Sequence, residues 1–338
     1  MTATPRTWVG ALLGLALTVA GCGSSGSTTA SGGQSAAHRS KTTPAHRAVA
    51  VGPKQLAYRT LFSLPAPLRD PATAPVGTAQ AALLGGLDSA DTSTAEIQVI
   101  SPRGVSYTGA LPVAQHDAQA ATLAGQVYVF GGGSLSELNH IVGFDPSAHT
   151  VRSVGVLPSA SSDVAVTQIG NTAYVVGGYD GASYLNTILA WTPGGSAKVV
   201  GHTPAGLRYS AVTSVGGKVI IVGGSTPAGA SRAIYSFDPA TARLTTIGQL
   251  PQPITHGGAA TLGQFVYLVG GRGDLVSQTT RNVWSINPAT GAVKAAGRLP
   301  RALSDAGVIT VGQGIVVAGG YTGATTLAGV GELIPGAA

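Results

Sequence analysis

Gln126-Val127-Tyr128-Val129-Phe130-Gly131-Gly132 is an apolar strand that stops on a glycine pair, and the chain repeats it. Equivalent pairs stand at Gly85-Gly86, Gly177-Gly178, Gly223-Gly224, Gly270-Gly271 and Gly319-Gly320, so successive pairs are 46, 46, 46, 47 and 49 residues apart. Such a period marks a repeat architecture, in which each unit buries its apolar faces against its neighbours. Two further markers keep the same phase. Leu64-Pro65, Leu111-Pro112, Leu157-Pro158, Thr203-Pro204, Leu250-Pro251 and Leu299-Pro300 each begin 20 or 21 residues before a glycine pair. A proline follows each pair, at Pro102, Pro146, Pro193, Pro239, Pro288 and Pro335, in settings such as Phe144-Asp145-Pro146 and Phe237-Asp238-Pro239.

Between the markers each unit has room for four short strands. In the second unit they read as roughly 117–124, 126–132, 139–145 and 150–157, separated by turn residues such as Gly125 and Pro146-Ser147. Four antiparallel strands repeated radially make a propeller blade. The sequence thus predicts an all-β fold, a six-bladed propeller with four antiparallel strands per blade. The sixth unit ends shortly after Pro335 without a fourth strand, whereas Ala57 to Pro65 aligns with the fourth strands at Thr150 to Pro158 and Ala242 to Pro251. The N-terminal strand is therefore expected to complete the last blade, which joins the chain ends and removes exposed sheet edges.

The glycine pair after an apolar strand, the tyrosines of Val127-Tyr128-Val129-Phe130-Gly131-Gly132 and Phe265-Val266-Tyr267-Leu268-Val269-Gly270-Gly271, and the Asp-Pro turn resemble kelch repeats. The resemblance covers about Leu64 to Pro335. The chain departs from that pattern where a later strand often carries tryptophan; Val151, Val199, Leu244 and Val293 stand there instead. Glycine at the strand end permits positive φ and close backbone approach. The pairs are not a phosphate cradle, because no Gly-x-Gly-x-x-Gly opens a helix and no Gly-Lys-Ser/Thr loop exists.

The N-terminus reads as a separate unit. Arg6 and the apolar Trp8 to Ala20 form a signal segment over 1–21. Val19-Ala20-Gly21-Cys22 resembles a bacterial lipobox, which implies cleavage before Cys22 and lipidation of that residue. Cys22 is the chain's one cysteine, so no disulfide within the chain can form. Residues 22–55 are rich in Gly, Ser, Thr, Ala and basic residues and read as a disordered tether. The propeller is expected over 56–338. These readings place it outside the cytoplasm, anchored to the bacterial cell membrane as a lipoprotein. The net charge of +6 belongs to the N-terminal region, since from Leu64 onward 13 basic residues face 13 acidic ones. A nucleic-acid partner is therefore not expected, and the domain reads as a monomer.

Candidate site residues come from the loops of one face, because rigid scaffolds carry function on loops. Six residues beyond each Leu or Thr of the Leu-Pro marker stand Asp70, Asp117, Asp163, Tyr209, His256 and Asp305; one earlier stand Arg69, His116, Ser162, Arg208, Thr255 and Ser304. Recurring aspartates can cap backbone N–H groups as Asx turns; alternatively they form a ring at the channel mouth that His116, Arg208, Tyr209 and His256 interrupt. After the glycine pairs come Asp88, Asp91, Glu137, Tyr179, Asp180, Tyr184, Arg272, Asp274 and Tyr321. Tyrosine, arginine and carboxylate together suit a protein, peptide or glycan partner, since aromatic faces supply area and charges orient it.

Catalytic patterns are sparse. No His-Glu-x-x-His, paired-Cys, His-x-His or Gly-x-Ser-x-Gly motif occurs, and neither cofactor nor metal is expected. An Asp70, Asp117, Asp163 and Asp305 ring for Ca²⁺ would span separate blades. Copper-radical oxidases resemble this fold but need a cysteine cross-linked to tyrosine, which Cys22 cannot supply. The leading expectation is a binding module. The alternative is a sugar epimerase or mutarotase, with His116 or His256 as base and Arg208 holding an anionic sugar, by resemblance to bacterial kelch epimerases acting on sialic acid.

Overall fold

The computed structural model describes residues 52–336. The signal segment, the lipobox with Cys22 and the tether up to residue 51 lie outside the described residues. Two residues before the first strand already touch the propeller: the Lys54 N–H donates to Tyr267 Oη at 2.9 Å and Gln55 Nε2 to the Ala295 carbonyl at 3.0 Å.

The first strand, β1 (Leu56–Ser63), stands apart in sequence from its sheet. Blade I contains β2 (Ala72–Val76), β3 (Gln80–Leu84), β4 (Thr94–Ser101) and β5 (Gly104–Gln115). Blade II contains β6 (Gln119–Leu123), β7 (Gln126–Phe130), β8 (His140–Asp145) and β9 (Thr150–Val156). Blade III follows with β10 (Ala165–Ile169), β11 (Thr172–Val176), β12 (Thr187–Trp191) and β13 (Lys198–His202). Blade IV has β14 (Ala211–Val215), β15 (Lys218–Val222), β18 (Ala233–Asp238) and β19 (Arg243–Gln249), with a small hairpin, β16 (Ser225–Thr226) and β17 (Gly229–Ala230), in its glycine-pair loop. Blade V comprises β20 (Gly258–Leu262), β21 (Phe265–Val269), β22 (Asn282–Ile286) and β23 (Val293–Arg298). Blade VI comprises β24 (Gly307–Val311), β25 (Gly314–Ala318) and β26 (Gly329–Pro335), and β1 pairs antiparallel with β26 from Leu56↔Pro335 to Ser63↔Gly329. The described residues thus form six four-stranded antiparallel sheets, and the expected closure by the N-terminal strand is present.

Each second strand is apolar on consecutive residues because both faces of a blade are covered by neighbouring blades. Val127, Tyr128, Val129 and Phe130 are all buried. Each neighbouring pair of blades shares an apolar cluster: Val129 and Val142 of blade II meet Leu84 and Val99 of blade I, while Phe130 and Ile141 meet Val175 and Trp191 of blade III. Leu56 and Leu333 seal blade VI against Tyr267 and Val283 of blade V.

The glycine pairs clip blades together. The second glycine donates its N–H to the carbonyl leading into the next blade, as in Gly132 to Ser161 at 2.9 Å, Gly178 to Leu207 at 2.8 Å and Gly320 to Leu68 at 2.9 Å. The first has φ near +60°, and at Gly177 a Cβ would stand 2.0 Å from the Leu207 carbonyl oxygen. Only glycine fits that approach.

Candidate functional site

The residue six beyond each Leu-Pro marker enters its inner strand with positive φ, from 49° at Tyr209 to 59° at Asp305. This turns its carbonyl along the rim toward the next blade. The N–H of Asp163 donates to the Asp117 carbonyl, Tyr209 to Asp163, His256 to Tyr209, Asp305 to His256 and Asp70 to Asp305, at 2.8 to 3.2 Å. Five links of one hand run round the axis. A second belt joins the inner strands farther along the channel, where Thr122 Oγ1 donates to the Pro75 carbonyl, Thr261 Oγ1 to Ser214 and Thr310 Oγ1 to Thr261.

The side chains of Asp70, Asp117, Asp163, Tyr209, His256 and Asp305 surround a cavity of about 60 Å³ at the channel mouth, and another of about 250 Å³ lies between the inner strands. The Asx-turn expectation for the aspartates is corrected here: their carboxylates serve side chains. Asp163 pairs with the Arg208 guanidinium, Asp117 Oδ2 accepts from Tyr209 Oη at 3.2 Å, and Asp305 Oδ2 accepts from Ser304 Oγ at 2.5 Å. The partner of a turn-capping carboxylate lies two or three residues away, whereas Tyr209 reaches Asp117 from two blades on.

Around the ring the Asp70 carboxyl faces that of Asp305, and the Asp117 carboxyl faces that of Asp163. Burial, then the neighbouring carboxylates Asp305 and Asp117, push Asp70 well above the usual carboxyl range. Burial, then Asp163, does the same to Asp117, and burial raises Asp305. Like charges this close cannot both ionise without cost. Burial, reinforced by Asp117, Asp163 and Asp70, also raises the Tyr209 phenol far above its ordinary value, so it remains a donor.

His256 stacks on Tyr209 with ring centroids 3.7 Å apart. Its Nε2 lies 3.0 Å from Arg272 Nη2 and its Nδ1 3.0 Å from Thr255 Oγ1. Guanidinium only donates. Nε2 must therefore accept, and Nδ1–H donates to Thr255. Burial, with Arg272 and Arg208 adding to it, holds the imidazole neutral well below its usual value.

A second tier stands outside the ring. Arg208 lies 4.4 Å from the Tyr179 ring centroid and 5.0 Å from those of Tyr184 and Tyr209. Arg69 lies 4.5 Å from the centroid of Tyr321 and pairs with Asp91 at 2.9 Å. Arg272 Nη1 donates to the carbonyls of Gly273 and Asp274, and among the described residues no carboxylate pairs with it. His116 bonds Ser93 Oγ at 2.8 Å. Thus the structure brings Asp117, Asp163, Tyr209, His256 and Asp305 to the mouth and Arg69, His116, Tyr179, Arg208, Arg272 and Tyr321 to the rim. Asp180 does not join them; its Oδ1 accepts the N–H groups of Ala182 and Ser183 in its own exposed turn. Ser93 was not legible, because it lies in a loop whose length varies between repeats. Among the described residues no group of three or more His, Cys, Asp or Glu is arranged to hold a metal ion.

The kelch motif model matches residues 160–195, which take in the ring residue Asp163, strands β10 to β12 of blade III and the pair Gly177-Gly178. No curated protein matches the chain in sequence. Among solved structures the chain is similar to one titled "Structure of YjhT", at 16% identity and a TM-score of 0.68, over 80% of this chain and 96% of that one. At this identity the likeness speaks for the fold. With its six closed sheets and recurring glycine clips, the chain is a six-bladed β-propeller that carries a kelch motif in its third blade.

Proposed function

We propose that the protein is a binding module that holds a protein, peptide or glycan across its glycine-pair face, outside the cytoplasm and anchored through a lipidated Cys22. The observation that carries this reading is the contrast between mouth and rim. The mouth cavity of about 60 Å³ and the one of about 250 Å³ between the inner strands each fall below the roughly 300–1,000 Å³ of sites that engulf small ligands, while the rim presents Arg272, held by three acceptors and with no carboxylate partner among the described residues. Tyr179, Tyr184 and Tyr321 add aromatic area beside Arg208 and Arg69. Such a surface suits a ligand that lies over the face and presents an anionic group to Arg272.

A sugar epimerase remains the second reading, favoured by the adjacency of Arg208 to Asp163 and of Arg272 to His256. Against it, the His256 Nε2 lone pair is occupied by Arg272. A thermal-shift screen against sialic acids, neutral sugars, peptidoglycan fragments and acidic peptides separates the two. Binding raises the melting temperature by mass action. The binding reading expects an upward shift with an extended anionic ligand that is lost in Arg272→Ala, without turnover. Epimerisation of a shifted sugar that ceases in His256→Ala would replace it with the enzyme reading.

A further inference from the structure

We infer that Ser93, His116 and Asp117 form an acyl-transfer site on the rim between blades I and II, acting on ester bonds. Ser93 Oγ lies 2.8 Å from His116 Nδ1, and His116 Nε2 lies 3.6 Å from Asp117 Oδ2. A hydroxyl, an imidazole and a carboxyl in that order are the parts of an activated nucleophile, recognised by geometry and role and not by chain order. The second separation is an ionic contact longer than a hydrogen bond; such distances in unliganded sites shorten when substrate is bound.

The local backbone presents the serine. Leu87 pairs with Arg69 on one side and Ser93 on the other, and the bonds from the Thr94 N–H to Gly86 and from the Asp88 N–H to Thr92 flank the Leu87–Ser93 pair. Leu87 and Ser93 therefore exchange no bond, and the Ser93 N–H points outward from this short ladder. A nucleophile's own N–H is well placed to receive an oxyanion. Arg69, bonded along its backbone to Leu87, pairs with Asp91 of the same loop at 2.9 Å. His116 is half-buried, and that burial, with Arg69 adding to it and Asp163 opposing, holds it neutral at pH 7, as a general base must be. Asp117, whose Oδ2 also accepts from Tyr209 Oη, stands on the side of the imidazole away from Ser93.

In the step, Ser93 Oγ bonds to the ester carbonyl carbon while its proton passes to His116 Nδ1. The carbon–alkoxy bond then breaks and the alkoxide takes that proton and leaves as alcohol. Water, deprotonated by the same nitrogen, releases the acid and restores Ser93. The site goes beyond the binding reading and does not depend on it, since Ser93 and His116 are separate from the Arg272 anchor.

The test treats the full chain with a fluorophosphonate probe, with p-nitrophenyl acetate turnover alongside, in wild type, Ser93→Ala and His116→Gln, each checked by thermal melting. The expected result is probe adduct on the peptide containing Ser93, none in Ser93→Ala, and at least a 100-fold slower reaction in His116→Gln. No adduct on wild type, or the same adduct on Ser93→Ala, overturns the inference. Should Ser93→Ala melt far below wild type, the His116→Gln rate decides, and a wild-type labelling rate there also overturns it.

Discussion

Asp70, Asp117 and Asp163 occupy a left-handed backbone conformation that asparagine and aspartate tolerate better than most residues, whereas Tyr209 (φ 49°) adopts it at a cost. The position demands it because the carbonyl must meet the next blade's N–H. Tyr209 stays there because its ring lies on His256 and its hydroxyl reaches Asp117. The same crowding makes the carboxyls pH-sensitive. Between an unfolded value of about 4 and the raised folded value, native Asp70 holds a proton that the unfolded chain has released, so stability falls as pH climbs through that window. Neutral His256 acts oppositely, losing stability only as pH drops below about 6.5. Asp70→Asn is accordingly expected to raise the melting temperature at pH 8 by about 2 °C or more, with the gain shrinking toward pH 5; an equal gain at both values in differential scanning calorimetry would contradict the raised Asp70 carboxyl. The ring positions could be read in the sequence because one marker fixes all six. What their carboxylates touch could not, since Tyr209 and Asp117 meet only after the channel closes, and Ser93 meets His116 only where two blades abut.

The elements show the same division. Strand order, blade count and the closing role of β1 follow from local punctuation, because glycine pairs and prolines act within a few residues of where they stand. β1 gives the clearest test. It supplies Leu56 to the cluster between blades V and VI, bonds along β26, and carries Arg59 to Glu332 at 2.6 Å. Deleting residues 56–63 should expose the β26 edge and open the ring, giving a melting temperature lower by more than 10 °C, on the order of several kcal/mol, and a tendency to associate. A melting curve and light-scattering profile unchanged from wild type would refute this account of closure. The β16–β17 hairpin could not be foreseen: the Ala230 N–H donates to Asp274 Oδ1 of blade V at 2.5 Å, a bond made between repeats.

For the whole molecule, closure makes the position of the chain ends a matter of one blade. The Gly336 N–H donates to the Gln55 carbonyl at 2.9 Å, so the two ends of the described chain touch. A circular permutant that links them with a short glycine-serine segment and opens the turn at Gly194-Gly195, an exposed loop tip, should fold with a melting temperature within about 5 °C of wild type. A collapsed, unfolded or oligomeric product would show that β1 must enter first. That entry also has a direction. β1 begins opposite Pro335, at the Asp-Pro end of blade VI, and reaches the glycine-pair end only at Ser63. The described chain therefore begins, at Gly52, on the side away from the glycine-pair loops, as a handle meets the base of a cup. The brim carrying Arg272, Tyr179 and Ser93 stands at the opposite end, so whatever settles there leaves the seam between the first and last described residues uncovered.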